Sequence, residues 1–181
     1  MTMEIKTLAE LTRLERWTTA FGPHGLMTDR VLKDEFAAEF VQKMIADTDL
    51  RPQIPSEVRD YFETARKLHI YGLFVYEFHA LAADRALFAC GFALRERYRQ
   101  WMAQTHPHEP AGRAPTLRAL LTWAKSEGLL SSARSDRSLA ATADLRNFAA
   151  HPDMNAVATP PDSARVIADS AALINELWSP A

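Results

Sequence analysis

LFVYEFHALAADRALFACGFALRERYRQWMAQ, residues 73–104, is the longest segment of the chain that reads as uninterrupted helix. At a rise of 1.5 Å per residue it would run for roughly 48 Å, long enough to act as a central strut around which shorter helices pack. Asp84 and Arg85 stand in the middle of its apolar run, which argues strongly against a membrane span. Gly91 costs about 1 kcal/mol relative to alanine inside a helix, so its presence predicts a close helix crossing or a kink. Gly72, just before the segment, is read as a joint. Tyr76, Phe78, Phe88, Phe92, Tyr98 and Trp101 recur at helical spacing and are read mostly as core, with Tyr98 and Trp101 as candidates for stacking on a base.

The flanking segments are helical too. Ile5, Leu8, Leu11, Leu14 and Trp17 recur at helical spacing until FGPHG (21–25) breaks the pattern, and a second amphipathic stretch follows over 29–47. LRPQIPSE (50–57) is a loop in which Ser56 is placed to cap a helix whose buried face would carry Val58, Phe62, Ala65 and His69. THPHEPAGRAP (105–115) is a second loop, and PTLRALLTWAKSEGLL (115–130) a helix opened by proline and closed at Gly128. Ser135 or Asp136 would cap a helix running to His151, 152–162 is irregular, and 163–178 forms a last amphipathic helix. No stretch alternates with a period of two. The expectation is an all-α fold, a bundle of about five core helices around one long central helix with two extra N-terminal helices. Residues 1–50 form the appendage and 51–181 the bundle, unless the two make one compact unit.

With 48% hydrophobic and 24% charged residues and a net charge of −2, the chain has the composition of an ordinary soluble globular protein and not of a basic nucleic-acid wrapper. The charge is uneven. Residues 29–63 hold five basic and nine acidic side chains, whereas residues 85–118 hold six arginines against Glu96 and Glu109. An anionic partner at the second region is one reading, and a solvated helix end with mixed charges is the other. The amino terminus reads as neither signal peptide nor membrane span. The single cysteine, Cys90, excludes an internal disulfide framework and sits in an apolar run where a buried thiol is expected. A cytoplasmic protein is expected, without membrane contact.

LRNFAAHP (145–152) concentrates the chemistry. Asn147 and His151, four apart, share one helix face, and Arg146 is long enough to swing toward the same phosphate beyond the helix end. Pro152 ends the helix, and a histidine in its last turn is favoured in the protonated form by the negative end of the helix dipole. These groups suit RNA cleavage without a metal. A neutral imidazole takes the proton of a 2′-hydroxyl as it attacks phosphorus, an imidazolium protonates the departing 5′-oxygen, and a guanidinium holds the phosphoryl charge. One histidine does not hold both protonation states at once, so two copies of the site meeting across a two-fold axis would divide the work.

R-N-F-A-A-H on a late helix after a long central one resembles the Arg-x4–6-His signature of the HEPN superfamily (higher eukaryotes and prokaryotes nucleotide-binding). The resemblance covers about residues 58–178. It implies a helical bundle that dimerises with its motifs facing each other and, for active members, a metal-independent endoribonuclease of toxin–antitoxin or phage-defence type. Carried over, Arg146 and His151 become the catalytic pair and Asn147 the supporting polar residue. RNA is then the substrate, and a homodimer and an antitoxin or other regulatory protein are the expected partners. No cofactor or metal is called for. Asp153 stands where toxins silenced by a nucleotidyltransferase antitoxin carry a tyrosine, which directs the reading away from that mode of silencing.

Around the motif, Glu77 and Asp84 share a face of the long helix and are candidates for supporting Arg146 or His151, with Arg95 on nearly the same stripe. A carboxylate within an apolar run needs a partner if buried, so an internal Asp84–arginine pair is the structural alternative. Arg95, Arg97, Arg99, Arg113 and Arg118 are the candidates for guiding RNA. His106-Pro-His108-Glu109 reads as a solvated loop, because two histidines without a second cluster make a poor metal site. The structural alternative for the motif pairs Arg146 with Asp144 or Glu127 and leaves His151 merely ending a helix. The functional alternative is a non-catalytic module of HEPN-like fold that binds a protein or nucleotide partner. A DNA-binding regulator would need a basic recognition helix that the chain lacks.

Overall fold

A computed structural model describes residues 7–13, 34–108, 115–135 and 158–179, together with Arg137, Leu139, Thr142 and Asp144. Every regular element among these residues is helical: α1 (Leu8–Leu11), α2 (Asp34–Met44), α3 (Ser56–Tyr71), α4 (Phe78–Thr105), α5 (Leu117–Ser126) and α6 (Pro160–Leu177). The four residues described between 137 and 144 are helical as well. The all-α expectation holds.

α4 is the axis, 28 residues long, flanked by α3 and α6, which touch each other little. Its buried positions explain how it serves two neighbours. Ala82, Ala83, Ala86, Ala89, Cys90, Gly91 and Ala93 are small and leave room on more than one side, while Leu87 and Leu94 fill the gaps. A helix buried on more than one side has no single apolar stripe, which is why 73–104 reads as a nearly continuous apolar run. α3 does present one stripe, and it is the one expected: Val58, Phe62, Ala65 and His69 are all buried. α6 contributes Ile167, Ala171, Leu173, Ile174 and Leu177 to the same core, and α5 contributes Leu120, Leu121 and Ala124. Each fully buried leucine, isoleucine or phenylalanine here is worth about 1.5–3 kcal/mol of transfer free energy.

Several boundaries differ from the sequence expectation. The central helix starts at Phe78, not Leu73. Residues 72–77 form a tight connection in which Leu73 N, Phe74 N and Phe78 N each reach back only three residues. Gly72 is the expected joint for a steric reason: a Cβ there would lie 2.4 Å from His79 Cε1 and Nε2. Gly91 instead has ordinary room, since its Cβ would stand 3.5 Å from Arg95 Nη1 and 3.8 Å from Leu117 Cδ1, so no close helix crossing accounts for it. Ser56 is the first residue of α3 and caps nothing; Pro55 holds the cap position with no side-chain bond. α5 opens at Leu117, not at Pro115, with Thr116 capping it by accepting from Ala119 N, and Gly128 follows that helix in the left-handed region with φ 70°. α6 begins at Pro160 behind a Thr159 cap, three residues earlier than expected, which places Ser163 inside the helix and fully buried.

α2 packs at one edge. Ala37 and Val41 form a small cluster with Leu73, while Ile45 just past its end joins the main core. Of the first expected helix, residues 7–13 are described, and the four of them that are helical form α1, whose Leu8 and Leu11 are exposed. The loop at 49–53 is clipped to the end of α6. Arg51 N donates to Asn175 Oδ1 at 2.9 Å and Asn175 Nδ2 donates to the Asp49 carbonyl at 3.0 Å. No helix among the described residues is long and apolar enough to cross a membrane.

Candidate functional site

Arg146, Asn147 and His151 of the motif, and Arg113, lie outside the described residues. The approach to the motif is described. Leu139 is buried in the core and Thr142 is partly buried, while Asp144 is exposed and accepts from Arg118 Nη2 at 3.2 Å. Glu127, after α5, accepts from Trp101 Nε1 at 3.1 Å. The two carboxylates that the structural alternative assigns to Arg146 are therefore each bound by another side chain.

Thr142 lines a cavity of about 110 Å³ between α4 and α6, together with Leu87, Cys90, Arg134, Asp169 and Ser170. Its polar wall is held from behind. Arg134 grips Glu176 with Nε and Nη2, the shortest contact being 2.7 Å, and Ser131 N donates to the same carboxylate at 3.0 Å. Burial alone would raise the Glu176 carboxyl, but the bonds from Arg134 and Ser131 prevail and hold it below the usual range. The Cys90 thiol is pushed up to about 11 by complete burial, so it is a packing group and not a nucleophile at neutral pH.

Of the supporting candidates, Asp84 is half-buried and its carboxyl is raised by burial. No internal Asp84–arginine pair forms among the described residues. The adjacent Arg85 lies instead over Tyr61, its guanidinium carbon 3.4 Å from the ring centroid, a cation–π contact for a charge placed within an apolar run. Glu77 is exposed at the N-cap position of α4, one residue before the helix begins at Phe78.

The described arginines named for RNA are engaged within the chain. Arg97 Nε donates to the Leu177 carbonyl at 3.0 Å, Arg99 pairs with Glu96 at 2.5 Å and Arg118 pairs with Asp144. Arg95 has an interaction of its own beside Gly91. Arg99 and Arg118, each with a side chain 66% exposed, remain within reach of solvent. Tyr98 and Trp101 stack with centroids 5.7 Å apart and meet Trp123 edge-on, forming a partly buried aromatic corner where α4 ends against α5. That packing is what holds the two helices at this end, and His106 leans on Trp101 from outside at 5.3 Å.

Sequence reading missed a polar cluster at the other end of the bundle. His69 on α3 and His79 on α4 are completely buried with ring centroids 5.0 Å apart, and His69 Nδ1 is in hydrogen-bond contact with Ser163 Oγ at 3.1 Å. The one signal was the place of His69 on the buried stripe of α3; its partners, ten and ninety-four residues on, leave no local trace.

Compared with protein-family models, with curated proteins and with solved structures, the chain matches none.

Proposed function

We propose that the protein is a metal-independent endoribonuclease of HEPN type, in which Arg146 holds the phosphoryl charge and His151 moves the proton between the 2′-hydroxyl and the 5′-oxygen. Asn147 supports the pair, and a homodimer presents two motifs to one RNA. The observation that supports this reading over a structural one is the occupancy of Asp144 and Glu127. Arg118 and Trp101 already bond to them, so neither carboxylate that the structural alternative assigns to Arg146 is without another partner. The helical bundle around α4 agrees with the architecture that the resemblance implies.

The test is cleavage of a mixed RNA pool in chelator, beside thermal melts, for the wild type, Arg146→Ala and His151→Ala. Each substitution should lower cleavage about 10²–10⁴-fold, and the His151→Ala protein should melt within a few degrees of wild type. A wild type inert toward every RNA tried, with Arg146→Ala the only destabilised variant, overturns the nuclease reading.

A second reading has its own support. Arg97, Arg99 and Arg118 are engaged within the chain, as suits a non-catalytic module of the same fold that binds a protein or nucleotide partner and does not depend on a basic face. A folded wild type that cleaves no RNA but binds a nucleotide or a protein, with binding unchanged by either substitution, would favour it.

A further inference from the structure

α4 is buried where it meets α3, α5 and α6, but one stripe of it faces outward. Leu81 stands on that stripe with 48% of its surface exposed, and Tyr71, at the end of α3 just before the 72–77 turn, is 55% exposed. Asp84 and Arg85 follow Leu81 along the stripe, both half-buried. Phe88, half-buried with a contact of its own, comes one turn later. An exposed leucine is ordinary by itself. Two opposite charges set among these apolar side chains are not.

Asp84 forms no hydrogen bond or ion pair among the described residues, and burial raises its carboxyl. Arg85 lies 3.4 Å over the ring of Tyr61, and its Nε is buried without a hydrogen bond. Stacking fixes the guanidinium plane, and its N–H groups find no acceptor among the described residues. The two neighbours do not serve each other, because consecutive residues of a helix project about 100° apart. An acid and a base, each held in place and each without a counter-charge, together form the complement of a second copy of themselves.

The helical order fixes how two copies would meet. Leu81 and Phe88 fall in the sector between the directions of Asp84 and Arg85, so the stripe has an apolar midline with one negative and one positive flank. A two-fold axis running along that midline, with both helices in the same sense, sets the Asp84 flank of each copy against the Arg85 flank of the other. Antiparallel copies would set acid against acid and base against base. Glu77 before this stretch and Arg95 beyond it would face their own kind across the axis, which confines the contact to the turns between them.

We propose that the stretch of α4 from Leu81 to Phe88 is a self-complementary docking surface for a second copy of the chain. Leu81 meets Leu81 at the axis, and Asp84 of each copy pairs with Arg85 of the other. A contact of two helical turns lies at the small end of specific interfaces, so the association is weak and concentration-dependent. In the separated copy Asp84 stays unpaired and weighs against folding; docking supplies its counter-charge. The surface gives the homodimer of the nuclease reading a place to form, and it rests on that reading only for what the dimer serves.

Sedimentation of the full chain across the micromolar range tests this, with thermal melts to show that each variant is folded. Wild type should dimerise. Asp84→Arg and Arg85→Asp should each weaken association at least about tenfold by placing like charges face to face, and the doubly reversed chain should recover most of the loss. A monomeric wild type, single reversals without effect, or a double reversal without recovery overturns the surface. If Arg85→Asp does not fold for want of its place on Tyr61, Leu81→Cys decides. Mild oxidation should join two copies through residue 81, whereas wild type, whose Cys90 is buried, should stay unlinked. A dimer that fails to link at 81 overturns the parallel arrangement. Dimerisation that obeys the reversals without any RNA cleavage keeps the surface and removes the nuclease; cleavage by a dimer indifferent to them does the opposite. A monomer that loses RNA binding in Arg85→Asp would give the face to RNA and overturn the docking.

Discussion

Arg97 on α4 donates from Nε to the carbonyl of Leu177, the last residue of α6, at 3.0 Å. Eighty positions separate the two residues, and the bond brings a fixed positive charge to the negative end of the helix dipole. Gln53 Nε2 reaches the Trp178 carbonyl and Arg51 Nη1 reaches Ser179 Oγ, so the end of α6 is held from two directions. Arg97→Ala should therefore act mainly on stability, by about 1–2 kcal/mol, the range of a charged hydrogen bond at a partly buried helix end. Among the described residues Arg99 pairs with its own helix neighbour Glu96, an exposed pair, and its loss should be nearly silent in a thermal melt. If these arginines meet RNA, Arg99→Ala should lower affinity and flatten its salt dependence by about one log unit per log unit of salt. Melts and salt-series titrations on both variants check the division.

Arg134 and Glu176 form a two-pronged pair that also anchors Ser131. With side chains 21% and 29% exposed, the pair lies between a surface ion pair and a buried one. Glu176→Ala should cost about 2–3 kcal/mol, more than an exposed pair is worth and less than a fully buried one. Because the Glu176 carboxyl is held down in the folded protein, this contribution is present above the ordinary carboxylate range and lost as pH falls through the lowered value. Denaturant titrations at pH 7 and pH 3 should show the gap between wild type and variant narrowing in acid.

The two glycines of the central region should respond with opposite signs. Gly72→Ala drives a methyl group to within 2.4 Å of His79 and should cost about 1–3 kcal/mol through overpacking. Gly91→Ala meets Arg95 and Leu117 at ordinary contact distances and should gain up to about 1 kcal/mol from helix propensity. Shifts of opposite sign in urea midpoint, the larger at Gly72→Ala, would agree with this account; a destabilised Gly91→Ala would contradict it.

Asp84 carries a carboxyl raised by burial, so its ionised form weighs against folding at neutral pH. Asp84→Asn should raise the melting temperature at pH 7, and the advantage should shrink as pH drops and the wild-type carboxyl takes up its proton. If Asp84 supports the motif, the same variant should lose RNA cleavage while gaining stability. Stability and activity rising together would remove Asp84 from the site.

Much of the bundle was legible in residue order because helix formation is a local matter. Backbone bonds close over four residues, and an apolar stripe of Val58, Phe62, Ala65 and His69 declares both the helix and the face it buries. The start of the central helix was not legible. LFVYE (73–77) is as apolar as the helix that follows, but Gly72 and the buried His79 force a tight turn there, and an apolar run by itself does not distinguish turn from helix when both are packed against a neighbour.

The candidate site divides in the same way. R-N-F-A-A-H stands out in the sequence because its members are close together in the chain. Which cations are occupied was decided only in three dimensions. Arg97 finds a carbonyl eighty residues away, Arg134 finds Glu176 forty-two residues away, and Asp84 stands beside an arginine that prefers the face of Tyr61. His69 was placed in the core by its periodicity, yet its neutral state depends on His79, Ser163 and α2 closing over it together. Residue order sets what a segment can become, because dihedral preferences and hydrogen bonds act over a few residues. The partner a charged or titratable side chain takes, and so the proton it holds, depends on the desolvation and distances that exist only once the helices have packed.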